Sequence, residues 1–513
     1  MSPSRAEVLA WIAGDPDPVT RAELQELLDA AGTDELAVRF AGPLRFGTAG
    51  LRAPVRGGPQ GLNRAVVRRT AAGLAAHLGP GSTVVLGRDA RHGSEAFCSD
   101  AAAVLAGAGV RALVLPRPLP TPVVAYAVRH LGATAGLMIT ASHNPAADNG
   151  IKIFLADGAQ LPSPDDEQLE GAIAVVGPAV DLRLGVPEPL GQDLVDAYVA
   201  AAAGVLLTGF RDVSVAYTPL HGVGLETLLA AFAAGGFAAP AVVAEQSAPD
   251  PDFPTVAFPN PEEPGALDLL LALVWRTGAD VGIASDPDAD RTAVVVGGRA
   301  LRGDEIGVLI ADHLLSSGVR GRVATTIVSS SMLLRIAESY GVPCSQTLTG
   351  FKHLARTGDD LVFAYEEALG LCVAPSTVRD KDGITAALLV AELAAVERVR
   401  GRTLLDRLAD LEARYGRHET RQLSYRVEDV VLVSAAMASL RAVPPTSYGD
   451  FVVLAVEAPA PDVLLYRLVG GRVVVRPSGT EPKLKAYLEL VNPAPGAMDA
   501  LAAAVGVRLG MTD

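Results

Sequence analysis

Lysine is the first thing this chain lacks. Of 43 basic residues in 513, only Lys152, Lys352, Lys381, Lys483 and Lys485 are lysines. A preference for arginine codons accounts for the scarcity and makes the positions of the five worth following. Cysteine is equally sparse. Cys98, Cys344 and Cys372 lie far apart and form no CxxC pair, which argues against a disulfide framework or a structural zinc site and leads us to expect a reducing cytoplasm. Positive charge is in deficit, with a formal balance of −15, so nucleic acid is not the expected partner. Long apolar runs are missing too. The uncharged stretch 227–244 is broken by Gly235, Gly236 and Pro240, whereas a spanning helix needs about 20 continuous apolar residues. The early Arg5, Glu7, Asp15 and Asp17 leave no apolar signal region. A soluble, cytoplasmic protein is the expectation.

What is present points to a large globular chain of several domains. Half the residues are hydrophobic and 20% are charged, which excludes a disordered chain, and the length fits about three or four domains. A β-branched run at 83–86 precedes a helical stretch at 95–106 and a second strand at 110–115. The same order recurs at 213–217, 225–234 and 241–244, and again at 323–328, 332–339 and 342–348. Strand–helix–strand repetition predicts right-handed crossovers in mixed or parallel sheets. The tail differs: four short strands at 451–457, 463–468, 472–475 and 484–490, then a helix at 498–509, predict an α+β unit. An accessory helix at 20–31 starts from a Thr20 cap. Pro162–164, 187–189 and 444–445 read as surface segments.

Three loops carry chemistry. Asp286-Pro-Asp288-Ala-Asp290-Arg291 follows the apolar run 281–284. Alternate residues of an extended segment point the same way, so the three carboxylates can converge on one hard cation such as Mg²⁺. A calcium EF-hand needs Gly and Glu where Arg291 and Gly297 stand; a solvated acidic turn is the plainer alternative. Thr140-Ala-Ser142-His143-Asn144-Pro145 lacks the Gly-x-Ser-x-Gly elbow of hydrolases and alone reads equally well as an Asn-Pro turn. Beside a carboxylate loop, Ser142 becomes a candidate phosphate carrier, since a phosphoserine offers an acidic oxygen to a metal. Arg476-Pro-Ser478-Gly479-Thr480-Glu481-Pro482 combines a guanidinium, hydroxyls and a freed backbone into a nest for a phosphate monoester, or is a hairpin turn. Tyr365-Glu366-Glu367-Ala368-Leu369-Gly370 and Arg379-Asp380-Lys381-Asp382-Gly383 add polar groups.

Together these segments resemble the α-D-phosphohexomutase superfamily over nearly the whole chain and in that family's order. Phe46-Gly-Thr-Ala-Gly-Leu-Arg52 is similar to its N-terminal loop, and the Ser142, Asp286, Glu366 and Arg476 segments to its phosphoserine, magnesium, sugar and phosphate loops. Thr218-Pro-Leu-His-Gly222 and Thr349-Gly-Phe-Lys352 are further marks. The resemblance implies three similar α/β mixed-sheet domains and a smaller C-terminal α+β domain around a central cleft, divided here as 1–205, 206–302, 303–418 and 419–513. It implies a phosphoserine at Ser142, Mg²⁺ on Asp286, Asp288, Asp290 and a Ser142 phosphate oxygen, and a bound sugar bisphosphate of the glucose 1,6-bisphosphate type as intermediate and activator. The substrate is then a small sugar phosphate whose phosphoryl group moves between C1 and C6 or C5. Arg476, Ser478, Gly479 and Thr480 would hold the phosphate that is not reacting, and Glu366, Lys352, Arg379 and Lys381 complete the substrate contacts.

Phosphoryl transfer needs positioning and charge neutralisation, to which Arg52 and Arg291 contribute with the metal. Arginine does not accept protons usefully, so the base falls to Lys152, which matches the family position proposed for it, or to His143, with the better unperturbed pKa; we prefer Lys152. One departure concerns the sugar. Many relatives read Gly-Glu-x-Ser where this chain has Glu366-Glu367-Ala368. That form is similar to phosphopentomutases of the second phosphoglucomutase branch and to actinobacterial phosphomannomutase-like proteins, and leaves glucose, mannose and ribose or deoxyribose phosphates open. Three rivals stay in view. A sugar-bisphosphate synthase would accumulate the bisphosphate. An aspartyl-phosphatase would use the Asp286-x-Asp288 start and carry hydroxylamine-labile phosphate, and a non-catalytic binder would show no turnover.

Overall fold

The structure, a computed structural model, describes residues 3–30, 32–48, 50–426, 430–477 and 483–510. It consists of two compact units. One comprises Met1–Leu301 with Ala368–Gly401, the other Arg302–Glu367 with Arg402–Asp513.

The first unit holds two sheets. In the larger, Leu51–Pro54, Asp148–Leu155, Ala135–Ile139, Thr83–Arg88, Arg111–Val114 and Glu188–Pro189 lie side by side. Thr83–Arg88 is parallel to both Arg111–Val114 and Ala135–Ile139, whereas Asp148–Leu155 returns antiparallel to the latter. Parallel strands are covered on both faces and therefore read as continuous apolar runs; every residue of Ala135–Ile139 is buried. The second sheet runs in the order Arg299–Ala300, Thr292–Val296, Val281–Ser285, Val215–Thr218, Ala241–Val242. Its central pair is parallel, and the helix Gly224–Ala234 follows Val215–Thr218. The uncharged stretch 227–244 is thus divided between that helix and a strand, and among the described residues no helix is long and apolar enough to cross a membrane.

In the second unit, Cys344–Thr347, Arg322–Thr326 and Leu361–Glu366 run parallel. The C-terminal sheet is antiparallel and has six strands where the sequence pattern led us to expect four: His418–Arg426, Lys483–Val491, Gly471–Pro477, Val463–Leu468, Phe451–Ala460 and Ser447–Tyr448. Its core packs Tyr466, Val473, Val475 and Leu488 of the strands against Leu501 of the helix Ala497–Arg508.

The accessory helix also departs from expectation. It spans Pro18–Asp29 and is capped by Asp17, which accepts from the Val19 amide at 2.9 Å. Proline at the first helical position has no amide to lose and its φ is already helical. Thr20 is inside the helix, its hydroxyl donating to Asp15 at 2.7 Å.

Candidate active site

Two strand ends of the first unit carry the candidate chemistry. Ser142 lies just beyond Ala135–Ile139 and the aspartate loop just beyond Val281–Ser285, where open α/β sheets present their ligands. Ser142 adopts a left-handed backbone, φ 55°, and its amide donates to Thr140 Oγ1 at 2.9 Å. The aspartate loop turns at Ala289, φ 53°. Neighbouring elements fasten its backbone. The Val223 amide donates to Pro287 O at 2.8 Å, the Thr121 amide to Asp288 O at 2.9 Å and the Gly383 amide to Ala289 O at 3.2 Å.

Asp286, Asp288 and Asp290 are fully buried, and their carboxylate oxygens lie within 4.8 Å of one another. Ser142 Oγ donates to Asp286 Oδ2 at 2.7 Å. Lys152, on the strand Asp148–Leu155, puts Nζ 2.6 Å from Asp288 Oδ2 and 2.5 Å from Asp290 Oδ2; Lys381 Nζ is 3.0 Å from Asp290. Thr121 Oγ1 donates to Asp288 Oδ2 at 2.5 Å. Burial and the charges of Asp288 and Asp290 push the Asp286 carboxyl well above its ordinary range. Against the same burial, Lys152 and Lys381 hold Asp290 low, and Asp288 and Asp290 hold Lys152 high, as an ammonium. Oδ1 of Asp288 and Oδ1 of Asp290 are buried without a hydrogen-bond partner. Orphaned carboxylate oxygens in a set of oxygen donors fit a hard divalent cation.

The sequence candidates divide between the units. His143 Nδ1 is 3.1 Å from Ser142 Oγ, and burial, with Arg291 and Arg52 nearby, keeps the ring neutral by pulling its pKa well below the usual value. Arg52 donates to Asn144 Oδ1 at 3.0 Å on the serine loop. Arg291 gives its amide to Asp286 Oδ1 at 3.0 Å, and its guanidinium is 3.4 Å from Glu262. Arg379 is half-buried in the segment that delivers Lys381 to Asp290. Asp380 and Asp382 flank Lys381 and bond elsewhere, to Gln160 at 2.7 Å and to the Tyr198 hydroxyl at 2.9 Å. In the second unit, Glu366 ends the strand Leu361–Glu366, Lys352 lies in the short helix Phe351–Leu354, and Arg476 lies near the end of Gly471–Pro477 beside Tyr487. Ser478, Gly479 and Thr480 lie outside the described residues.

Thr121 escaped the sequence reading, and Glu367 stands there in its segment without a role of its own. Thr121 meets the aspartate loop through both amide and hydroxyl; its only signal is a Thr-Pro helix start. Glu367 accepts from Thr326 Oγ1 and Ser329 Oγ, each at 3.1 Å.

A serine hydroxyl on a buried carboxylate triad, set at the ends of α/β strands, places a hydroxyl nucleophile beside oxygen donors suited to a hard cation. Four family models match in order: phosphoglucomutase/phosphomannomutase alpha/beta/alpha domain I over residues 43–176, domain II over 196–299, domain III over 302–415 and the C-terminal domain over 429–503. The chain belongs to the phosphoglucomutase/phosphomannomutase family. It is 41% identical over 451 residues to the "Probable phosphomannomutase" of Haemophilus influenzae, covering 84% of this chain and 93% of the relative. It is 32% identical to mouse (Mus musculus) phosphopentomutase, covering 96% and 91%. A phosphoglucomutase/phosphomannomutase family protein from Burkholderia thailandensis shares the fold with a TM-score of 0.72 at 21% identity, over 90% of this chain and 97% of that one. The protein is a phospho-sugar mutase, an isomerase with three α/β domains and a C-terminal domain.

Proposed function

We propose that this mutase works through a phosphoserine at Ser142 and a bound sugar bisphosphate, moving a phosphoryl group between C1 and C6 or C5 of a sugar phosphate. The observation that carries this reading is the 2.7 Å bond from Ser142 Oγ into the buried aspartate triad. Asp286, Asp288 and Asp290, with an oxygen of the Ser142 phosphate, would hold Mg²⁺. That ion, when bound, supplies charge neutralisation for the phosphoryl group in transfer.

In the first transfer the phosphoserine P–Oγ bond breaks and a sugar hydroxyl oxygen bonds to phosphorus. The hydroxyl proton leaves to a base, and Ser142 Oγ takes up a proton. After the bisphosphate turns end over end, the reverse chemistry on its other phosphate restores phosphoserine and leaves the isomerised monophosphate. His143, neutral and 3.1 Å from Ser142 Oγ, exchanges the proton on the serine side. Lys152 is assigned the sugar side; it takes that proton only as the free amine, whereas here it is an ammonium clasped by Asp288 and Asp290, so a proton must leave Nζ to solvent before the transfer. Arg52 and Arg291 add positive charge beside the reacting phosphate. Glu366, Lys352, Arg379 and Lys381 are assigned to the substrate, and Arg476, Ser478, Gly479 and Thr480 to the distal phosphate, by their match to the family's segments.

A reducing cytoplasm is the compartment we propose. The three cysteines are free thiols, and burial pushes Cys98 up to about 12 and Cys344 up to about 11, so both stay protonated and unreactive at neutral pH.

The test is a coupled assay on glucose 1-, mannose 1- and ribose 1-phosphate with Mg²⁺ and glucose 1,6-bisphosphate, alongside intact-mass measurement of the purified protein. We expect isomerised monophosphate as product and one acid-stable phosphoryl group, lost in Ser142→Ala together with turnover. Turnover retained by Ser142→Ala, or hydroxylamine-labile phosphate, would overturn the reading; net accumulation of bisphosphate would make the enzyme a synthase.

A further inference from the structure

Arg91 has no part in the chemistry above, yet it is the most heavily used buried cation beside the serine loop. It follows the strand Thr83–Arg88, and its side chain is 1% exposed. Its two terminal nitrogens donate to four carbonyl oxygens. Nη2 reaches Ser142 O at 2.7 Å and Asn144 O at 2.5 Å, and Nη1 reaches Pro145 O at 2.8 Å and Asp148 O at 3.1 Å. Asp89 Oδ2 is 3.5 Å from Nε, and the Phe253 ring packs on the guanidinium face at 4.9 Å. Asp89 is held in turn by Ser94 Oγ, which donates to it at 2.6 Å.

This arrangement answers a local difficulty. Ser142 is a non-glycine residue in the left-handed region, a conformation that persists only where its surroundings fix it. Inside the loop, Thr140 Oγ1 holds the Ser142 amide and Ala141 O accepts from the Asn144 amide at 3.1 Å. The carbonyls of Ser142, Asn144, Pro145 and Asp148 are collected by a single planar fork, Pro145 O accepting from the Asp148 amide at 3.0 Å as well. An ammonium offers three donors from one point and cannot span four carbonyls spread over Ser142–Asp148 as a guanidinium can. Phe253 precedes the aspartate loop in the second sheet's part of the chain, so the same guanidinium packs between the serine loop and that neighbouring domain.

We infer that Arg91 is a positioning residue for phosphoryl transfer: it sets the backbone from which Ser142 Oγ is aimed at the aspartate triad, without touching substrate. The inference rests on the reading of Ser142 as phosphoryl carrier. Misplacing a reacting group by about 1 Å costs about 10²-fold in rate, and because Arg91 does not contact the sugar, the loss falls on turnover and not on substrate binding.

The experiment compares wild type with Arg91→Met, Arg91→Lys, Arg68→Met and Ser142→Ala. Arg68 is a similarly buried arginine of the same domain, paired with Asp100 at 2.8 Å and remote from the serine loop. Kinetics are measured on the sugar 1-phosphate turned over fastest, at least 15 °C below each variant's Tm, together with the rate at which glucose 1,6-bisphosphate loads phosphate onto the serine. For Arg91→Met we expect kcat and the loading rate to fall about 10²-fold with KM within about threefold, and for Arg91→Lys an intermediate loss. Arg68→Met is expected to lower Tm and leave kcat unchanged. If Arg91→Met does not fold, Arg91→Lys decides on the same two readouts. The proposal is overturned if an Arg91 variant keeps kcat within threefold, if its loss appears in KM, or if Arg68→Met loses turnover equally. Inactive Ser142→Ala with a normal Arg91 variant overturns this proposal alone, whereas active Ser142→Ala overturns the phosphoserine reading beneath it.

Discussion

Gly222 is a sharp test of how the aspartate triad is held in place. It closes the Thr218-Pro-Leu-His-Gly segment, whose Leu220 and His221 both have positive φ, 47° and 57°. The segment packs directly on the aspartate loop. A Cβ on Gly222 would lie 2.3 Å from Pro287 Cα, 2.4 Å from its carbonyl oxygen and 2.6 Å from its carbonyl carbon, where ordinary contact begins at 3.4 Å. All three atoms are backbone, so no side chain can swing aside; one loop must retreat by about 1 Å, the scale of misplacement at which reacting groups lose about 10²-fold in rate. Pro287 lies between Asp286 and Asp288, and the retreat also strains the 2.8 Å bond from the Val223 amide to Pro287 O. Overpacking of this kind costs about 1–3 kcal/mol in stability.

For Gly222→Ala we therefore expect a lowered Tm, kcat down about 10²-fold, and a rise in the Mg²⁺ concentration for half-maximal activity. The comparison variant is Gly171→Ala. Gly171 lies in the helix Asp165–Ala174, and a Cβ added there would meet nothing within 4 Å, so alanine at this position should stabilise by about 0.5–1 kcal/mol and leave turnover alone. Wild-type kcat and Mg²⁺ dependence in Gly222→Ala would refute the claim that this segment sets the triad's geometry.

Two further variants test charge. Lys152→Arg replaces a compact ammonium between Asp288 and Asp290 with a planar fork, and should cut turnover about 10²-fold with KM within about threefold; near-normal turnover would remove Lys152 from proton transfer. Glu489 is buried, yet the His418 hydrogen bond, the Arg472 charge and the Ser331 amide outweigh burial and hold its carboxyl at about 2, against an ordinary 4.5. A depressed carboxyl stabilises the fold above its unfolded value and loses that contribution as pH falls, so about 3 kcal/mol should disappear between pH 4.5 and about 2. Urea unfolding across that range should show a shallower pH slope in Glu489→Gln, and an unchanged slope would show that Glu489 is not the group responsible.

Much of this architecture is legible in the sequence because its signals are local. Ala135–Ile139 and Val281–Ser285 are short apolar runs closed by polar loops, so both strand and loop announce themselves. His418–Arg426 does not: it reads His-Glu-Thr-Arg-Gln-Leu-Ser-Tyr-Arg and becomes a strand by pairing along its whole length with Lys483–Val491, a partner about sixty residues away. The same distinction governs the site. Ser142 and the aspartates sit in motifs whose residue types state their chemistry. Arg91 and Thr121 carry no such statement, because what matters is the set of carbonyls and carboxylates that folding brings to them.

The scarcity of lysine acquires a physical meaning at the triad. Three fully buried carboxylates repel one another and lose solvation, and the chain meets them with Lys152 and Lys381, two of its five lysines, the closest atoms 2.5 Å and 3.0 Å from Asp290. Nearby arginines do other work: Arg91 spans four carbonyls and Arg52 holds Asn144. A guanidinium is broad and planar, so it suits spread acceptors; an ammonium is a compact point charge and fits between converging carboxylate oxygens. Oδ1 of Asp288 and Oδ1 of Asp290 remain without hydrogen-bond partners. Lysine is rare in this chain, and geometry explains why arginine does not replace it at positions 152 and 381.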